Sequence, residues 1–200
     1  MGLREAQMSR NQRQAWLAAG AVGVLAVALE AAGLRDALAW DRAGLTEQQL
    51  WRLATGHFVH LGWSHLALNL AGLTLLTWIV GRSFDVLGWV VVALASIIAM
   101  DIGFWFFDPA LDWYVGLSGL LYGLLAAGLV VGISRREIES LILGPLILAR
   151  LIWEQVQGPL PGSAEATGGA VIIEAHVYGT IGGIVAAALL WRRVRSRAPI

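Results

Sequence analysis

Six long apolar stretches leave this chain few folds to choose from. They lie near residues 14–34, 62–81, 86–107, 115–133, 138–157 and 175–192. A helix needs about 20 mostly apolar residues to cross a bilayer, and each stretch is near that length. Only 14% of the chain is charged, against about 25% in a soluble domain, so a soluble bundle could not hide this much apolar surface. The pattern predicts an all-α integral membrane protein with six transmembrane helices in a single domain over residues 1–200. The first stretch is too long for the core of a signal peptide and lacks a clear small-residue cleavage site, so it reads as a retained helix. Glycines inside several stretches suit close helix packing in lipid. No internal repeat favours an inverted-repeat transporter.

The arginines set an expected orientation, because basic residues collect on the cytoplasmic side. Alternating six helices puts Arg4, Arg10, Arg13, Arg82, Arg135, Arg136, Arg192, Arg193, Arg195 and Arg197 on one side. Only Arg35, Arg42 and Arg52 fall on the other, and Arg150 lies inside the fifth stretch. Both termini are therefore expected in the cytoplasm, and the first, third and fifth loops outside. The first loop, about 35–61, mixes Trp40, Leu45, Leu50, Trp51, Phe58 and Val59 with polar residues, as in a segment lying in the interface. The fifth, 157–173, is rich in Gly, Pro and Ala and is expected to be mobile, as lids over active sites are.

Polar groups inside membrane helices are costly and point to function. In this topology the second, fourth and sixth helices all start from the outer side. That places His65, Ser118 and His176 at similar depth, with Asn69 one turn below His65 on the same face. A Ser hydroxyl becomes a nucleophile when a His takes its proton, and the same His can later protonate a leaving amine. The developing oxyanion needs donors. His65, Asn69 and the N–H of Ser118 at a helix N-terminus can supply them. Gly116 and Gly119, flanking Ser118, are expected to let a substrate backbone come close.

At these residues the chain resembles the rhomboid intramembrane proteases. Trp51-Arg52 is similar to the family's Trp-Arg pair in the first loop, and His65-Leu-Ala-Leu-Asn69 to the His-x-x-x-Asn of its second helix. Gly116-Leu117-Ser118-Gly119 resembles the Gly-x-Ser-Gly that holds the nucleophile, and Tyr122 stands where members place a ring beside the catalytic His. Ala175-His176-Val-Tyr-Gly179-Thr-Ile-Gly-Gly183 resembles the Ala-His-x-x-Gly-x-x-x-Gly of the sixth helix. The resemblance implies a six-helix rhomboid fold and a dyad, Ser118 as nucleophile and His176 as base and acid, with no third acid. It implies structural roles for Trp51, Arg52, Gly179 and Gly183. The strings Thr55–Leu61, Tyr114–Gly119 and Glu174–Gly179 look like the rhombosortase branch. That branch implies a bacterial inner-membrane protease with its site near the outer face. Its substrates would be transmembrane proteins ending in a Gly-Gly motif, one membrane helix and a basic tail. No cofactor is implied, and lipids and such substrates are the expected partners.

Other features weigh less. Net charge is zero, giving no case for nucleic acid. There is no Cys, which removes disulfides and thiolate chemistry. His57, His60 and His65 cluster in sequence, but no complete metal ligand set accompanies them. Arg150 and Glu154 stand at i, i+4 and are expected to pair within their own helix. Glu174, two residues from His176, points off its face. Glu30 and Asp101 are expected near outer helix ends. Trp63, Trp89, Trp105, Trp113, Trp153 and Trp191 fall near helix ends as an interfacial belt. Two rival readings are an inactive rhomboid-like binder of transmembrane clients, and a small transporter or channel.

Overall fold

The computed structural model describes residues 3–196, and side chains within 9–190. Trp191 and the charges of Arg4, Arg192, Arg193, Arg195 and Arg197 lie outside the described side chains. In chain order the elements are α1 (Leu3–Ala31), α2 (Arg35–Leu38), β1 (Trp40–Asp41), α3 (Arg42–Thr46), α4 (Arg52–Thr55), α5 (Trp63–Val80), α6 (Val86–Phe106), β2 (Trp113–Tyr114), α7 (Ser118–Ser134), α8 (Ile138–Gln157), α9 (Ser163–Thr167) and α10 (Ile173–Ser196). The fold is helical apart from one antiparallel pairing of Trp40 with Tyr114 and Asp41 with Trp113.

By length and composition four helical segments can cross a membrane: Ser9–Ala31, Trp63–Val80, Val86–Phe106 and Ile173–Leu190. The remaining two long helices differ for physical reasons. α7 is apolar but short, with 17 residues, and ten of them are buried. α8 carries Glu139, Arg150 and Glu154 and is interrupted by Pro145. The outer surface is apolar in turn: Leu17, Val24, Leu75, Trp78, Leu94, Ile142, Leu148 and Leu189 are all exposed. A soluble protein rarely presents so continuous an apolar surface. In lipid it is the expected solvent-facing side.

Without water to drive association, membrane helices rely on close packing. α7 sits at the centre, flanked by α5, α6, α8 and α10. A methyl on Gly179 would run into the carbonyl oxygen of Gly119, and one on Gly183 into that of Gly123. Glycine at 179 and 183 therefore lets the α10 backbone rest directly on α7. α1 is more peripheral and packs mainly on α5. There Gln12 donates from Nε2 to the Thr77 carbonyl at 2.7 Å.

The first loop is a folded unit. Arg42 donates to the carbonyls of Phe104, Asp108 and Leu111. Its guanidinium also covers the rings of Trp105 and Trp40, at 4.9 and 5.4 Å. Arg52 donates to the carbonyls of Asp36 and Ala39 and to the side chain of Gln49, and the Trp51 indole donates to Ala37. These bonds tie α2, β1 and α4 together and hold them over the end of α6. The fifth loop, read from sequence as a mobile segment, contains α9, which packs beside α5.

Candidate active site

Three helix N-termini build the site. α7 opens at Ser118 with no side chain capping it, so its first-turn N–H groups lack intrahelical acceptors. The turn before it is held by Gly116, whose φ of +124° suits glycine alone. The Tyr114 hydroxyl donates to the Gly116 carbonyl at 2.7 Å and pins that turn. Tyr114 is fully buried, which pushes its phenol above the ordinary value. α5 contributes His65 and Asn69, both buried, and α10 contributes His176 from its first turns.

Ser118 Oγ and His176 Nε2 are 3.2 Å apart. The Tyr122 ring lies flat on the His176 ring, with centroids 4.3 Å apart and planes 16° from parallel. The Leu61 N–H reaches His65 Nδ1 at 3.4 Å. That contact uses Nδ1 as acceptor, so the neutral ring carries its proton on Nε2. Asn69 Nδ2 is buried with no hydrogen-bond partner. Ser118, His176, His65, Asn69, Tyr122 and Arg150 line a single cavity of about 660 Å³. One wall comes from residues 110–115 and another from the 160–172 segment around α9.

One contact at the site was not expected from the sequence. The dyad implied by the family resemblance has no third acid, and Glu154 was assigned only to Arg150. In the structure Glu154 Oε2 accepts from His176 Nδ1 at 2.8 Å. Its other oxygen, Oε1, takes Arg150 Nε and Nη2 at 2.8 and 2.7 Å. Reading along one helix showed the i, i+4 partner but could not show which helix would pass the far side of the carboxylate. The available signal was the cost of a carboxylate in an apolar helix, which calls for more than one partner.

The glycines beside Ser118 turn their missing side chains toward protein atoms. Gly116 and Gly119 were expected to open room for a substrate, but protein atoms fill the space each leaves. A methyl on Gly116 would sit 2.7 Å from His65 Cε1, and one on Gly119 would meet the Met100 sulfur and the Ala175 carbonyl. Both serve close packing around the site. Tyr114 is a site-shaping residue that sequence reading missed, because nothing in its local pattern shows where its hydroxyl points.

The other histidines separate. His57 is fully buried and faces Asp101, with Nε2 3.5 Å from Oδ1. His60 packs edge-on against His65 at 5.1 Å. Burial, with His65 beside it, lowers the His60 pKa from 6.5 to about 4. Among the described residues no group of three or more His, Asp or Glu side chains is placed to hold a metal.

Comparison with known proteins bears on this geometry. A model of the rhomboid domain matches residues 47–193, which contain every side chain of the cavity. The chain is 30% identical over 150 residues to "Rhomboid protease GluP" of Bacillus subtilis (strain 168), covering 73% of this chain and 27% of that protein. It is 24% identical over 151 residues to "Putative rhomboid protease YdcA" of the same organism, covering 76% and 72%. A third relative, "Uncharacterized protein ML1171" of Mycobacterium leprae (strain TN), is 27% identical over 156 residues, covering 70% and 56%. The chain thus spans about a quarter of GluP and most of YdcA. With the family model matched across most of its length, from the first loop through the last helix, this chain belongs to the rhomboid family.

Proposed function

We propose that this protein is an intramembrane serine endopeptidase that cleaves membrane-anchored proteins near a transmembrane segment. The observation that carries this reading is the Ser118–His176 contact at 3.2 Å, opening on a cavity that also holds the unpartnered Asn69 amide. In the reaction His176 Nε2 takes the Ser118 proton as Oγ attacks the scissile carbonyl. Asn69 Nδ2, His65 Nε2 and the Ser118 N–H stabilise the oxyanion. His176 then protonates the leaving amine, and water attacks the acyl-enzyme with His176 again as base. A buried donor without a partner costs stability, and an arriving oxyanion would satisfy it. This favours an active enzyme over an inactive client-binding relative.

The finer reading keeps all six long helices as spans, both termini in the cytoplasm and the site near the outer face of a bacterial inner membrane. Support comes from the arginine distribution and from the placement of Ser118, His65 and His176 near the same ends of their helices. Trp51 and Arg52 hold the first loop, and Gly179 and Gly183 hold α10 on α7. A substrate helix enters laterally beside α5 and α8, under the segment carrying α9. Gly-Gly-type sorting tails are the proposed substrates, on the likeness of Thr55–Leu61, Tyr114–Gly119 and Glu174–Gly179 to the rhombosortase branch.

The test uses the full chain in vesicles with a serine-directed fluorophosphonate and a membrane-anchored substrate bearing such a tail. Labelling and cleavage are expected in the wild type and lost in Ser118→Ala and His176→Ala. Cleavage that persists in Ser118→Ala would sink the proposal. Cleavage of other transmembrane proteins but not of tailed ones would remove only the sorting-tail reading.

A further inference from the structure

We infer that Glu154 is a positioning residue that converts the Ser118–His176 pair into a three-membered relay of contacts, with Arg150 holding Glu154 in place. The inference rests on the protease reading above and deepens it.

The contacts run in one line across three helices. Arg150 and Glu154 come from α8, His176 from α10 and Ser118 from α7. Arg150 grips Glu154 Oε1 through two nitrogens, and Oε2 is left to reach His176 Nδ1 at 2.8 Å. Nε2 of the same ring meets Ser118 Oγ at 3.2 Å. The Glu154 side chain is 1% exposed, so water does not compete for its oxygens. Had the carboxylate served only to pair with Arg150, nothing would require its second oxygen to lie on a histidine of another helix.

The consequence for the imidazole is specific. A neutral ring carries one proton, on either nitrogen. An ionised carboxylate can only accept, so Glu154 places that proton on Nδ1. Nε2 is then left with a lone pair facing the Ser118 hydroxyl, as a base must be. Tyr122, stacked flat on the ring, fixes its plane, and Glu154 fixes rotation within that plane. When Ser118 Oγ forms its bond to the carbonyl carbon, its proton moves to Nε2. The Nδ1 proton stays where it is, and the imidazolium lies against a carboxylate that remains ionised. The fork from Arg150 makes an ionised carboxylate tolerable in an apolar surround.

Glu154→Gln keeps the volume and can still accept from Arg150, but its amide would donate to Nδ1. That forces the ring proton onto Nε2, where it blocks the base. Wild type, Glu154→Gln, Glu154→Asp and Ser118→Ala are compared as full chains in vesicles, by fluorophosphonate labelling rate and by kcat and KM on a membrane-anchored substrate. Glu154→Gln is expected to lose about 10²- to 10⁴-fold in kcat, with KM within about twofold. Glu154→Asp, shorter but still an acceptor, is expected to recover at least about tenfold of that loss, since hydrogen bonds to charged groups are the strong ones. A Glu154→Gln protein within about twofold of wild-type kcat overturns the inference, as does an Asp variant no faster than the Gln one. If Glu154→Gln does not fold, nitrogen-15 NMR of His176 in the wild type decides: a proton on Nδ1 supports the inference and a proton on Nε2 overturns it. A wild type that neither labels nor cleaves would defeat the protease reading itself, and the NMR result would still report separately on the Glu154 contact.

Discussion

α5 and α8 bring the same kind of signal to the site and use it in opposite ways. Each carries two polar side chains one turn apart, His65 and Asn69 on α5 and Arg150 and Glu154 on α8. On α8 every contact is made within the protein: Arg150 to Glu154, and Glu154 to His176. On α5 the Asn69 amide has no partner, and His65 uses only Nδ1, on the Leu61 N–H. In the proposed reaction the closed side holds the base in one orientation, and the open side keeps donors free for charge that exists only while a substrate reacts. A buried donor left unpaired costs about 1–3 kcal/mol, a cost consistent with stabilising a transition state and not the resting fold.

Ser118 and His176 stand where the two sides meet, and removing either should produce the largest effect. Ser118→Ala or His176→Ala is expected to lower kcat about 10⁴- to 10⁶-fold in a cleavage assay. On the open side, Asn69→Ala should cost about 10²- to 10³-fold in kcat, or about 3–4 kcal/mol of barrier. Because the buried amide nitrogen bonds nothing at rest, removing it relieves its desolvation cost, and the variant should melt no lower than wild type. Glu154→Ala should behave differently, losing activity and also stability, because it leaves the Arg150 charge without its partner. If Asn69→Ala also lowers the melting temperature strongly, the contrast between the two helices fails.

Acid should strike the open side first. His60 packs on His65, and burial holds its pKa at about 4 against an ordinary 6.5. A ring kept neutral in the folded chain but free to charge when unfolded favours unfolding as pH falls. Its contribution is complete above about pH 6.5 and is lost on the way down to about pH 4, about 3 kcal/mol in all. Thermal melts between pH 7 and 4 should show that slope, and His60→Phe should make it shallower. The last effect is on helix packing, where no polar side chain of the site takes part. Gly179→Ala would press a methyl onto the Gly119 carbonyl, costing about 1–3 kcal/mol of stability, read as a lower melting temperature in detergent.

Much of the candidate site was legible because its residue types are expensive in an apolar run. His65, Asn69, Ser118 and His176 stand out from their surroundings, and the order of the helices alone brings them to one depth. Tyr122 came only through the resemblance to the rhomboid proteases, whose members place a ring at that position beside the catalytic His. Glu154 was noticed for the same energetic reason but given half of its partners, since helical periodicity relates residues only within one helix. Gly116 and Gly119 were assigned to the substrate because a missing side chain says that something comes close, not what. Tyr114 and Arg42 gave no local signal, as their roles lie in carbonyls on other elements.

The amino-acid sequence by itself determined that this chain belongs in a membrane, where its long helices lie and which polar residues the lipid would not tolerate alone. Those follow from transfer energies and helical geometry, which act along the chain. Only the tertiary structure decided that the second oxygen of Glu154 rests on His176, that Asn69 is left open and that the glycines pack on protein. Those contacts join α5, α7, α8 and α10, and they depend on how closely helices approach and rotate. Single missing methyl groups on Gly179 and Gly183 help set that approach.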